Sequence, residues 1–529
     1  MTNVVCQILY VLFCSTGVQD TTVEDSMPAK IRILSLVLMS AMLLTASFTS
    51  AQTYLDLEGQ VQEFTLDNGV HFIVLEDHSA PVFSFRSFVD IGSANEVRGI
   101  TGISHVLEHM AFKGTKEIGT TDYKKELKAM ALEDEAFDAL KTERLKGINA
   151  DPAKIEELSA AFEAAKDAAR EFVVTNEFGA IVENNGGQGM NAYTSADETV
   201  YLYNMPSNRL ELWAYIEGSR MAQPVLREYY TEKDGPVIEE RRMRTDNSPI
   251  GRMIEQFLNL MFMANGYHHS TIGYMSDLEN MSRADCQAYY DKYYVGSNFT
   301  ISIVGDVNFE DVQKYAKKYF SDIPAGNPGD VETLEPKQLG EKRFTMKDPS
   351  QPLYVAGYHI ENIRHPDWPV YQVIGDVFGQ GRTSRLYKSI VKEQNLAVQT
   401  FTFPGFPGTK FQTGMLLFGM PVKGKTGADL EVAFNLEIDK LVADGITADE
   451  LEAVKQRARA NFIRGLMGNA GMAAQLAQYH KDYGDWRELF NEVDRIEAVT
   501  LEDVKRVAGE VFIESNRTVG IIETEDSES

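Results

Sequence analysis

Cysteine is nearly absent from this 529-residue chain, which has three. Cys6 and Cys14 fall in the first few dozen residues, ahead of the cleavage point argued below, so the mature chain keeps Cys286 alone. It can form no internal disulfide, even in an oxidising compartment, and its stability must come from apolar cores. Basic residues are also scarce: 51 Lys and Arg stand against 78 Asp and Glu, a formal net charge of -27. Such a surface repels nucleic acid and anionic membranes, and a nucleic-acid role is excluded. Low-complexity tracts, fibrous repeats and a comfortable transmembrane span are missing too.

What is present is enough apolar sequence, 43%, for more than one core. The N-terminus carries an address. From Met27, read as the true start behind an upstream extension (1–26), Lys30 and Arg32 precede an apolar run from Ile33 to Ala46. Small residues follow at Thr49-Ser50-Ala51. This is the pattern of a secretory signal over 27–51, and it predicts a periplasmic or secreted protein.

Strand and helix signals then alternate. FTLDNGVHFIVLED (64–77) has apolar runs either side of Asn68-Gly69, a hairpin signal, and NFTISIVGDV (298–307) reads as a strand. LELWAYIEGSRM (210–221) and LEVAFNLEIDKLV (430–442) have helical spacing and resemble one another. The separation of Pro206 from Pro421 is nearly that of Asn298 from Asn516, and both pairs sit in similar local sequence. A near-constant offset argues for a duplicated domain. The expected fold class is α+β, with two duplicated domains, each an antiparallel or mixed sheet packed with helices. Their expected boundaries are 54–323 and 340–525, joined by a Pro- and Gly-rich linker over 324–339. An Ala- and Leu-rich helical insertion spans 122–174. Asn149-Ala-Asp151-Pro152 breaks it, with Asp151 as N-cap of the second arm. It reads as a surface hairpin or as a docking arm for a partner.

The densest chemistry lies in GISHVLEHMAFKGT (102–115). On a helix, His105 and His109 share one face and Glu108 lies on the same side. Two imidazoles at i and i+4 can hold one zinc ion, and a carboxylate just before the second can take a proton from a water on the metal. The order H-x-x-E-H is the inverted zinc-protease motif. A catalytic site still needs a third protein ligand. The residues alone leave two sources open: His268-His269, or the acidic residues of KDGPVIEERRMR (233–244), where Glu239 and Glu240 point about 100° apart on a helix.

GISHVLEHMAFKGT, then NAYTSADETVYLYNMP (191–206), then EKDGPVIEERRM (232–243) resemble, in order, the motifs of the pitrilysin or insulinase family of zinc peptidases. That family includes the mitochondrial processing peptidase. The resemblance implies one Zn2+ per chain, with His105, His109 and Glu240 as ligands and Glu108 as general base. It places Asn191 and Ala192 on an edge strand that receives extended peptide, a task suited to free main-chain hydrogen bonds. Some members carry a glutamate seven residues before the third ligand. That position is Lys233 here, with Glu232 beside it, so no supporting role for a second carboxylate follows.

The second half has lost the motif: its counterpart helix reads VYQVIGDVFGQG (370–381), and Arg457 stands opposite Glu240. In the family, a second domain of the same chain or a partner supplies an Arg and a Tyr to a cleft between clam-like halves. Here those positions are Val391 and Val398, while Arg385 and Tyr387 are out of register. The expectation is a zinc endopeptidase for peptides or unfolded segments that works with a homologous partner subunit, or else as a homodimer. The alternatives are a non-catalytic homologous subunit of a peptidase-like complex and a structural zinc protein.

Overall fold

The computed structural model describes residues 57–329 and 333–525. The upstream extension (1–26) and the signal segment (27–51) lie outside the described residues. Two mixed sheets form the frame. The first contains β1 (Gln62–Thr65), β2 (His71–Glu76), β3 (Val82–Val89), β4 (Gln188–Thr194), β5 (Thr199–Pro206) and β6 (Phe299–Gly305), in spatial order β1-β2-β6-β3-β5-β4. The second contains β7 (Lys342–Asp348), β8 (Leu353–Ile360), β9 (Ala397–Phe406), β10 (Thr413–Pro421) and β11 (Arg517–Thr524), in order β7-β11-β8-β10-β9.

Set β1 aside and the sheets match strand for strand. β2 is parallel to β6 and β7 is parallel to β11. Every other neighbouring pair is antiparallel. The helix Leu210–Ala222 follows β5 as Gly427–Asp444 follows β10. The fold is therefore α+β with an internal repeat. β1 and β2 close the hairpin at Asn68-Gly69, pairing Gln62 with Val74 and Thr65 with His71. Gly69 has φ +99, and a Cβ there would stand 3.0 Å from the Ser297 amide nitrogen.

Each sheet borrows a helix from the other half. Helix Pro249–Met261 lays Met253, Phe257, Leu258 and Met261 on the second sheet, against Leu353, Val355, Leu416 and Ile522. The approach is close enough that a Cβ on Gly357 would stand 2.8 Å from the Phe257 ring. In return, helix Asn469–Tyr483 packs on β3 and β6, with Ala477 against Phe88 and Val200. Each large side chain buried in these contacts contributes about 1.5–3 kcal/mol relative to exposure, so separating the halves would expose two apolar seams.

The expected linker has no helix or strand among its described residues, but it is not free. The Glu335 carboxylate accepts the backbone N–H groups of Met263, Ala264 and Asn265 at 2.7–3.1 Å. The insertion forms two helices, Tyr123–Arg144 and Pro152–Arg170. Asp151 accepts from Ala153 and Lys154 as N-cap, and Pro152 opens the second helix. Phe137 and Phe162 of this hairpin pack against Tyr230, the first tilted with centroids 4.4 Å apart and the second edge-on at 5.2 Å. Its tip exposes Leu145 and Ile148. Cys286 is buried in helix Arg283–Tyr293.

Candidate metal centre

The motif helix runs Ile103–Met110 and packs against β4. It starts at Gly102, with φ +90, where a Cβ would stand 2.6 Å from the Ile272 carbonyl oxygen. Glycine is what that turn admits. The helix lacks a cap from its own flanking side chain. Buried Glu96 takes that part, accepting the N–H of Gly102 at 2.7 Å and of Ser104 at 2.9 Å. Asp277 holds the turn before it through the N–H groups of Gly99 and Thr101 and the Thr101 hydroxyl. A carboxylate at a helix N-terminus satisfies orphan donors and favours the dipole.

His105 and His109 project from one face, with Nε2 atoms 3.3 Å apart. Glu240 reaches the same point from helix Ile238–Arg241: its Oε2 is 3.4 Å from His105 Nε2 and 3.7 Å from His109 Nε2. Ligands about 2.0–2.1 Å from a tetrahedral zinc ion stand about 3.4 Å from one another, so the triangle fits that ion. Glu239 turns outward, its side chain 59% exposed and paired with Arg242. His268 bonds the Asn265 carbonyl, and buried His269 sits beside Glu96; neither belongs to the triangle.

Glu232 is the residue that sequence reasoning missed. Its Oε1 is 2.9 Å from His109 Nδ1, and its Oε2 is 2.6 Å from the Lys113 ammonium. A π-helical turn over Lys233–Val237 lies between Glu232 and Glu240 and adds one residue to the helix. The side chain eight positions back therefore takes the face that a regular helix would give to the seventh. Lys233, in the expected position, is buried and bonds the Leu278 carbonyl at 2.7 Å. The available signal was Pro236, which has no N–H to give and so disturbs a regular helix.

The electrostatics suit a cation. Burial lowers the His109 pKa, but hydrogen bonds to Glu232 and Glu240 and the charges of Glu232 and Glu108 overcome this and push it up to about 9. Burial likewise raises Glu232, but His109 and Lys113 bring it down to about 2. Hydrogen bonds from His105 and His109 hold Glu240 well below the carboxylate range. Glu108 accepts the Thr194 hydroxyl at 2.6 Å on Oε2.

Asn191 and Ala192 lie on β4, which pairs with β5 on one side and is the sheet's edge on the other. With Glu108, His109 and Glu232 they line a pocket of about 390 Å³. His105, Thr194 and Arg244 line a second pocket with Phe406 and Pro407 from the second half. The equivalent place in the second half holds Arg457 paired with Asp376.

Two family descriptions match the chain: insulinase (peptidase family M16) over residues 72–143, and the peptidase M16 inactive domain over residues 280–458. Both halves of the chain are thus similar to peptidase family M16. Among M16 relatives, the zinc protease PqqE of Helicobacter pylori is 28% identical over 497 residues, covering 92% of this chain and 97% of that protein. The mitochondrial-processing peptidase subunit beta of Blastocladiella emersonii is 23% identical, covering 90% and 91%. Among solved structures, a protease from Helicobacter pylori superposes with a TM-score of 0.72 at 25% identity, over 88% of this chain and 99% of that one. The first half of the periplasmic protease PqqL from Escherichia coli gives a TM-score of 0.64 over 88% and 92%. The chain is thus peptidase-like in fold, and relatives similar to it are named as zinc proteases.

Proposed function

We propose that this chain is a zinc-dependent endopeptidase that hydrolyses peptides or unfolded segments. The observation that carries the reading is the triangle of His105 Nε2, His109 Nε2 and Glu240 Oε2, with sides of 3.3, 3.4 and 3.7 Å. These three would hold one Zn2+, which supplies Lewis acidity and a lowered pKa for water. Glu108, oriented by Thr194, receives the proton and returns it to the departing amine. Glu232 fixes the His109 ring by accepting from Nδ1 and is itself steadied by Lys113. The free edge of β4 at Asn191 and Ala192 takes the substrate backbone as an added strand.

The domains of this reading are 54–323, with the zinc site, and 340–525, without one. Arg457 and Asp376 neutralise each other where the second half would hold a metal. The reading places the protein in the periplasm or outside the cell, on the signal pattern of 27–51. No helix among the described residues is long and apolar enough to cross a membrane. A homologous partner subunit completes the active form.

The test separates binding from chemistry. Glu108→Gln should keep the zinc of the His105, His109 and Glu240 site and lose hydrolysis of a quenched peptide library. His105→Ala or His109→Ala should lose hydrolysis together with the zinc held at His105, His109 and Glu240. Undiminished hydrolysis by Glu108→Gln would sink the mechanism.

A further inference from the structure

A second cluster of metal-ligating groups lies apart from the motif helix, where the borrowed helix Asn469–Tyr483 meets the β1–β2 hairpin. Glu63 on β1, His71 on β2 and His480 on the helix each bring a ligand atom within 4.8 Å of the others. The imidazoles of His71 and His480 stack with centroids 4.0 Å apart and planes 7° from parallel. His71 Nδ1 is engaged by the Thr65 hydroxyl at 2.9 Å, which leaves Nε2 as the free nitrogen. That atom is buried without a hydrogen-bond partner, 3.4 Å from Glu63 Oε2, and His480 Nδ1 is buried without a partner too. Unpaired buried nitrogens are costly, and two of them beside one carboxylate call for an explanation.

The surroundings are those of a supported ligand set. The Trp486 indole N–H donates to Glu63 Oε2 at 2.8 Å, and Arg487 donates to Oε1 at 2.9 Å. Arg487 also bonds Asp485 at 3.0 Å. Two carboxylates and one guanidinium leave a net negative charge facing two imidazoles. The Glu63 side chain is 32% exposed, which gives an ion a way in.

We propose that Glu63, His71 and His480 form a second, structural site for a divalent transition-metal ion, which clips the borrowed helix to the first sheet. Two nitrogens and one oxygen select zinc or a neighbouring d-block ion over calcium or magnesium. Water completes the shell, and the two rings tilt from parallel as they close on the ion.

The test removes the first site from the count. Full-length His105→Ala/His109→Ala protein should still bind one equivalent of zinc in equilibrium dialysis, and zinc should raise its melting temperature. Adding His71→Gln and His480→Gln should abolish both. Cobalt(II) gives a second readout that needs only the His105→Ala/His109→Ala protein: one equivalent should produce a visible absorption band of a low-coordinate nitrogen–oxygen site. Failure of the His105→Ala/His109→Ala protein to bind zinc and to develop that band would overturn the proposal. Neither readout depends on whether the chain cleaves peptides.

Discussion

Glu232 Oε1 stands 2.9 Å from His109 Nδ1, although Glu232 precedes Glu240 by one residue more than a regular helix would need. The π-turn at Lys233–Val237 closes that gap. A carboxylate behind a ligating imidazole fixes its orientation and raises its basicity. Glu232→Gln should therefore weaken zinc binding by about 10- to 100-fold with the fold unchanged, read by competition with a chelating dye. Unaltered affinity would mean that His109 is held by the helix alone.

Glu239 and Glu240 are neighbours with opposite surroundings: the first pairs with Arg242 at the surface, the second faces both imidazoles. Glu240→Ala should lower zinc content sharply, and Glu239→Ala should leave it nearly intact. Metal analysis of the two purified variants decides this, and the reverse result would shift the ligand register by one.

The motif helix was legible because its chemistry is local. Two histidines at i and i+4 share a face whatever the rest of the chain does. Glu240 was less so, since periodicity offered two adjacent glutamates and one pair of histidines, and only the resemblance to a family chose among them. Glu232 was not legible by counting, because a π-turn changes the count without changing the composition. The repeat could be read from matched segments, and the sheets match strand for strand. The exchanged helices Pro249–Met261 and Asn469–Tyr483 could not be foreseen. An apolar helix face says that something covers it and does not say which sheet. The segment read as a linker is anchored by buried side chains, among them Glu335, through contacts between positions about 70 residues apart that local composition does not encode.

Acid should loosen the second half through His359. Its burial lowers the pKa from the ordinary 6.5 to about 4, with the ring set edge-on against Phe262. The folded value lies below the unfolded one, so the stability is fully present above pH 6.5 and is lost as pH falls toward 4. The loss is on the order of 2–3 kcal/mol for one such group. His359→Leu should flatten the fall in melting temperature between those two pH values. An unchanged slope would assign the acid response to other buried imidazoles.

The last prediction concerns what the proposed active site lacks. Hydrolysis needs donors for the substrate carbonyl and for the oxyanion that develops on it. At the two positions where the resembled family carries Arg and Tyr, this chain has Val391, half-buried against the second core, and Val398, 58% exposed on β9. Valine donates nothing. Arg385 is committed elsewhere: its guanidinium bonds both oxygens of Glu450 at 2.7 Å and the Gly445 carbonyl at 3.0 Å. Those contacts tie the segment to helix Ala448–Gly465 and take Arg385 out of play as a substrate ligand. Arg244 does line the pocket beside His105, but its guanidinium is bound to Glu240 at 2.9 Å. The purified chain should therefore bind zinc normally and turn over peptides slowly. Loss of one oxyanion donor costs about 10²–10³ in kcat, and a homologous chain that carries the Arg and Tyr should restore a factor of that order. The measurement is hydrolysis of a quenched peptide at fixed zinc content, with and without the second chain. Full turnover by the isolated chain would show that it supplies its own oxyanion donor. Arg244 would then be the first residue to replace.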